Sequence, residues 1–141
     1  MKRCGKRRCE ICKFVKEGRS FHNNLGNREY YVNYDFDCDS KGIVYLIKCK
    51  KCSKQYVGST VTSFKMRFNN HKSSLMRYGR GQMGIPGEHL YAHFFEDGHR
   101  GLEDVIVMII DKTDVSKPVE REGIWVYKLN LLVYVHTVSF S

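Results

Sequence analysis

At 141 residues, with 42% hydrophobic and 13% aromatic residues, the chain has the size and apolar content of one domain with a real core. Its longest aliphatic run, Val105-Ile106-Val107-Met108-Ile109-Ile110, falls far short of the roughly 20 residues that cross a bilayer. The basic N-terminus has no apolar stretch behind it, so neither a membrane span nor a secretory signal is expected.

The six cysteines are then expected as thiolates rather than disulfides. Residues 1–40 read as an irregular, cysteine-bearing arm, with Cys4, Cys9, Cys12 and Cys38 and a short β-like stretch at Tyr30-Tyr31-Val32. Its first 19 residues hold 8 Lys/Arg against 2 acids, and residues 41–80 hold 10 Lys/Arg and no Asp or Glu. Surfaces ordinarily mix signs, so a block without carboxylates reads as a contact for phosphate backbones. The plain alternative is a solvated basic face. Ile43 to Lys48 alternates and is β-branched, which predicts a strand; Cys49-Lys50-Lys51-Cys52 makes a turn and Lys54 to Gly58 the returning strand of a hairpin. Ser59, Thr60, Thr62 and Ser63 offer N-caps for a helix whose one face repeats Phe64, Phe68, His71 and Leu75. Gly79, Gly81, Gly84, Pro86 and Gly87 mark a loop, and His89 to Phe95 a short helix. Val105–Ile110 predicts a fully buried strand, and Pro118 opens a last helix to about Leu129. Residues 131–141 are an atypical apolar tail. The order is hairpin, helix, strand, helix: a small α/β layer fold.

Five side chains stand out chemically. Tyr45 and Tyr56 sit on the two hairpin strands, and Gly58 ends the second where the chain must turn or approach something closely. Arg67 and His71 project from neighbouring helical turns. Glu122 shares a helix face with Trp125, Val126 and Leu129, and a carboxylate there needs a partner or a cation. Taken singly, the tyrosines fit cross-strand packing, Arg67 a salt bridge and His71 a structural role; Glu120 competes with Glu122 for the helix dipole.

Two sets of residues have zinc spacing. Cys49-x2-Cys52 has knuckle spacing, and His93-x5-His99 would complete it, with His71 or His89 as substitutes. Cys4-x4-Cys9-x2-Cys12 with Cys38 or His22 forms a second set, in an arm with little else to order it.

The catalytic candidates together resemble the GIY-YIG nuclease family. The first motif stands as Gly42-Ile43-Val44-Tyr45, with one extra residue before the tyrosine, and the second as Tyr56-Val57-Gly58. Arg67-x3-His71 and Glu122 follow in family order, so the resemblance covers roughly residues 42–130. Val44 to Cys49-x2-Cys52, Tyr56-Val57-Gly58-Ser59-Thr60, His93-Phe94 with Gly98-His99, and Arg121-Glu122 before Trp125 are similar to the endonuclease domain of Penelope-like retroelements. That subfamily carries cysteines between the two motifs and a zinc site.

The resemblance implies an α/β (α+β) fold with a small three-stranded, mainly antiparallel sheet flanked by helices. It divides the chain into a basic Cys-containing arm at 1–40, a nuclease domain at 41–130 and the tail at 131–141. It implies a metal-dependent DNA endonuclease that nicks. Glu122 would hold one Mg²⁺ or Mn²⁺, Arg67 would clamp the scissile phosphate, and His71 would position water or relay a proton. Tyr45 or Tyr56 would take the proton from water, its pKa depressed by surrounding cations. Zn²⁺ would sit on Cys49, Cys52, His93 and His99, and a second on Cys4, Cys9, Cys12 and Cys38. Lys48, Lys50, Lys51, Lys54, Lys65 and Lys72 are the expected DNA contacts. Location inside the cell, in the nucleus, follows. The family's asparagine after the glutamate has no counterpart in residues 131–141, and Asn130 is too close to Glu122 to replace it. The alternatives are therefore a catalytically decayed, zinc-stabilised nucleic-acid-binding module, or a structure-specific repair nuclease.

Overall fold

Residues 43–48, whose alternation predicts a strand, lie at the centre of the sheet and are buried on both of its faces but for a half-buried Lys48. The computed structural model describes residues 1–52 and 54–129. Strands β1 (Ser20–His22) and β2 (Glu29–Tyr31) form a hairpin. Strands β3 (Lys41–Cys49), β4 (Gln55–Ser63) and β5 (Val105–Lys112) form an antiparallel sheet in the order β4-β3-β5. Helices α1 (Phe64–Gly79), α2 (Glu88–His93) and α3 (Pro118–Lys128) flank it, which gives the expected α+β class. Among the described residues no helix is long and apolar enough to cross a membrane. The apolar tail at 131–141 lies outside the described residues.

Register decides what faces what. Tyr45 pairs with Gly58 and Ile47 with Tyr56 across β3–β4, while Tyr45 pairs with Ile109 and Ile47 with Val107 across β3–β5. Directly paired residues share a face and alternate along a strand, so Tyr45, Ile47, Cys49, Tyr56 and Gly58 point one way. That face carries α1 and α2: Ile47 and Val105 meet Phe68, His71, Leu75, Leu90, Tyr91 and Phe94 around a small void. Leu46, Gln55 and Met108 point the other way, toward Phe21 and His22 of the arm.

The arm is more regular than expected. Its hairpin turns at Asn23, whose side-chain oxygen accepts from the Asn27 backbone N–H at 3.2 Å. Val15 bridges to Val107 in parallel, covering the outer edge of β5, an edge that would otherwise offer unpaired backbone groups. Phe14 packs on Phe68 of α1 at 5.3 Å, and Phe21 on Trp125 of α3 at 5.5 Å, so arm residues enter the same buried core as the sheet. Strand β4 also runs further than expected, to Ser63. Ser59 and Thr60 pair with Val44 and Ile43 instead of capping, and Ser63 alone caps α1, accepting from Met66 N–H at 3.2 Å.

Asp111, at the end of β5, anchors α3. Its carboxylate accepts from the Trp125 indole at 2.8 Å and from the Arg121 guanidinium. These donors flank Glu122 in sequence, so the anchor sets the rotation of the helix that carries it.

Candidate active site and metal-type clusters

The Tyr45 ring lies directly over Gly58. A Cβ at residue 58 would sit 2.6 Å from both Cζ and Oη of that ring, well inside contact distance. The glycine of the second motif is therefore a seat for the tyrosine of the first.

From that seat Tyr45 reaches α1. Its hydroxyl lies 2.7 Å from His71 Nε2, and Arg67 Nε donates to it at a longer 3.4 Å. His71 Nδ1 lies 2.9 Å from the Tyr91 hydroxyl. With Arg67 donating to the Tyr45 oxygen, Tyr45 is free to donate to His71 Nε2, which leaves the imidazole proton on Nδ1 for Tyr91. Tyr45, His71 and Glu122 are 0%, 4% and 2% exposed. Burial pushes the Tyr45 phenol above its ordinary range; Arg67 opposes this and the nearby Glu122 charge adds to it. Among the protein's own groups, against the expectation that surrounding cations depress this phenol, desolvation outweighs the one guanidinium beside it. Burial, then Arg67, holds His71 down to about 3, so its imidazole is neutral at physiological pH.

Tyr56 shares the sheet face but packs on His93 and Phe94, with ring centroids 5.8 and 6.3 Å away. It lies beside the first of two donor clusters. In that cluster the ligand atoms of Cys49, Cys52, His93 and His99 all lie within 4.8 Å of one another, and Cys52 Sγ is 3.3 Å from His93 Nε2. The second cluster is Cys4, Cys9, Cys12 and Cys38, whose sulfurs meet the same limit; Cys4–Cys12 and Cys12–Cys38 are 3.6 and 3.7 Å apart. Tetrahedral zinc, with bonds of about 2.0 Å to nitrogen and 2.3 Å to sulfur, separates its donors by roughly 3.3–3.8 Å. A disulfide would need about 2.05 Å. Both donor sets therefore fit a four-coordinate soft-metal site. The substitutes fall elsewhere: His71 belongs to the tyrosine chain, and His22 faces Glu29 at 3.8 Å.

The lysines do not form one surface. Lys65 faces Asp39 at 3.4 Å and Lys72 faces Glu10 at 3.8 Å, so the arm brings acids to a block that lacks them in sequence. Lys48 pairs in register with Gln55, on the face opposite Tyr45. Lys50 and Lys51 are exposed at the hairpin tip and Lys54 is half-buried.

Two contributors escaped the sequence reading: Tyr91 and Asp111. Tyr91 stands 20 residues from His71 across a glycine-rich loop, and no periodicity links the two.

A tyrosine seated on a motif glycine meets an arginine and a histidine one helical turn apart, on a three-stranded antiparallel sheet. The sequence model of the GIY-YIG catalytic domain matches residues 41–131, and the chain belongs to that family. The family is one of nucleases, generally metal-dependent, so the substrate class is nucleic acid. Neither the curated proteins nor the solved structures compared with the chain include a match.

Proposed function

We propose that the chain is a metal-dependent DNA endonuclease that nicks one strand, of the kind found in Penelope-like retroelements, and that it acts in the nucleus. The observation that carries the chemistry is the contact of buried Tyr45 and His71 with half-buried Arg67, with the Glu122 charge acting on the same phenol. The retroelement type rests on the Cys-x2-Cys pair between the two motifs, which meets His93 and His99.

In this reading Arg67 holds the scissile phosphate with its planar fork. The phosphate's negative charge then offsets the guanidinium, the lesser of the two influences, after burial, that hold His71 neutral. His71 becomes a better acceptor as DNA binds. Tyr45, protonated because it is buried, passes its proton to His71 Nε2 as it takes one from the attacking water. Tyr91 accepts from Nδ1 and keeps the imidazole in the tautomer this requires. We assign the acid–base role to Tyr45 and a packing role against His93 to Tyr56. Glu122, a buried hard-oxygen donor beside the phenol, suits Mg²⁺ or Mn²⁺, which when bound would stabilise charge building on the phosphate oxygens. The two four-donor clusters hold structural Zn²⁺.

The test is conversion of supercoiled plasmid to open circle with Mg²⁺. Glu122→Ala should lose nicking by at least about 10²–10³-fold while still binding DNA. Nicking at the wild-type rate in that variant would overturn the role of Glu122, and a wild-type chain that binds DNA but never cuts would leave only a binding module.

A further inference from the structure

A second polar surface runs along α1 away from Tyr45. Arg67, Asn70, Ser74 and Arg77 follow one another at helical spacing and, with Pro86 and Tyr91, line a cleft of about 220 Å³. His71 reaches the same cleft, so it opens directly off the candidate active site. No Asp or Glu among the described residues lines it. Arg77 Nη2 donates to Ser74 Oγ at 3.3 Å, which holds the guanidinium along the helix. Its Nε is buried and has no acceptor among the described residues, nor does a carboxylate there pair with Arg77. A buried guanidinium N–H without an acceptor carries a desolvation cost that a bound anion would remove.

We propose that this cleft is a binding site for a backbone phosphate further along the strand from the scissile one, with Arg77 as its charged donor and Asn70 and Ser74 as neutral ones. The inference rests on the nuclease reading only for what the ligand is; the cleft stands on its own lining. Arg67 and Arg77 are ten residues apart, about 15 Å along a helix, so each guanidinium serves its own end of the cleft and its own phosphate. Such a contact fixes where the strand lies across Tyr45 without reading its sequence. Phosphate position on the chain, rather than base identity, is then what this part of the protein recognises.

The test is equilibrium binding of a fluorescent 30-base-pair duplex to the full chain, without added Mg²⁺, over a range of salt concentrations. Arg77→Gln should weaken binding about tenfold and lower the slope of log K against log salt by about one, the signature of one lost phosphate contact. Arg77→Lys, which keeps the charge, should keep the slope. An unchanged affinity and slope in Arg77→Gln would overturn the site, and so would an equal loss of slope in Arg77→Lys. Either outcome is distinct from failure of the nuclease reading, which shows as absent cleavage by the wild-type chain.

Discussion

The two four-donor clusters look alike and sit in different mechanical positions. Cys4, Cys9, Cys12 and Cys38 all come from the arm, and the backbone carbonyl of Cys38 accepts from Lys65 N–H at 2.8 Å, at the start of α1. That cluster closes a segment on itself and fastens it to one helix end. Cys49, Cys52, His93 and His99 instead join the β3–β4 tip to α2 and the loop after it. Helix α2 also carries Tyr91, whose hydroxyl meets His71. One cluster therefore holds an arm in place, and the other holds part of the candidate active site. The lesson is that equal donor geometry does not mean equal consequence; what matters is which elements the donors span.

The sharpest way to break that contrast is to remove one donor from each. With zinc on both clusters as proposed, Cys52→Ser and Cys12→Ser should each lower bound zinc from about two ions per chain to about one, measured by elemental analysis. Cys52→Ser should also cut nicking by more than about tenfold, because α2 loses its tether, whereas Cys12→Ser should mainly lower the melting temperature. Equal losses of nicking in the two variants would contradict the division of roles.

A smaller effect probes the seat under Tyr45. Gly58→Ala forces a methyl to within 2.6 Å of the Tyr45 ring, which is itself buried. Overpacking of this kind costs about 1–3 kcal/mol, to be read by chemical denaturation. A variant as stable as wild type would mean that Tyr45 does not rest on the glycine.

An effect of similar size to that of Gly58→Ala is expected in pH. Folded His71 resists protonation down to about 3, whereas the unfolded residue protonates near its ordinary 6.5. Between these values the unfolded chain binds the extra proton, so stability falls as pH falls, by about 1.4 kcal/mol per pH unit for this group. Above pH 6.5 the contribution is fully present. His71→Gln should flatten the loss of stability between pH 6 and 4 relative to wild type; identical slopes would place His71 in water.

Much of this arrangement was legible in the sequence where one residue type has few uses. The apolar stripe of Phe64, Phe68, His71 and Leu75 is the buried face of α1, and the run from Val105 forms the edge strand β5, shielded by the Val15 bridge. The cysteines group as their spacing suggested, with Cys38 completing the arm's set and His93 and His99 the hairpin's. Ser59 and Thr60 misled because the same hydroxyl residues cap helices and line strands, and only pairing with β3 decides between them. Of the β1–β2 hairpin only the second strand was legible, as the β-like stretch at Tyr30-Tyr31-Val32, because strands of three residues carry almost no periodicity. Burial is also a property of the folded chain alone, which is why it pushes the Tyr45 phenol up although Arg67 beside it pulls down as expected. The acids that face Lys65 and Lys72 arrive from Asp39 and Glu10, beyond the reach of any local charge count.

The claim that everything else depends on is that Tyr45 and His71 act as one proton-handling unit. A double-mutant cycle on single-turnover nicking tests it, using Tyr45→Phe, His71→Gln and the pair together. Members of one unit are strongly non-additive, so the double variant should be no slower than the worse single variant. Losses that multiply would show two independent contributions and contradict the relay.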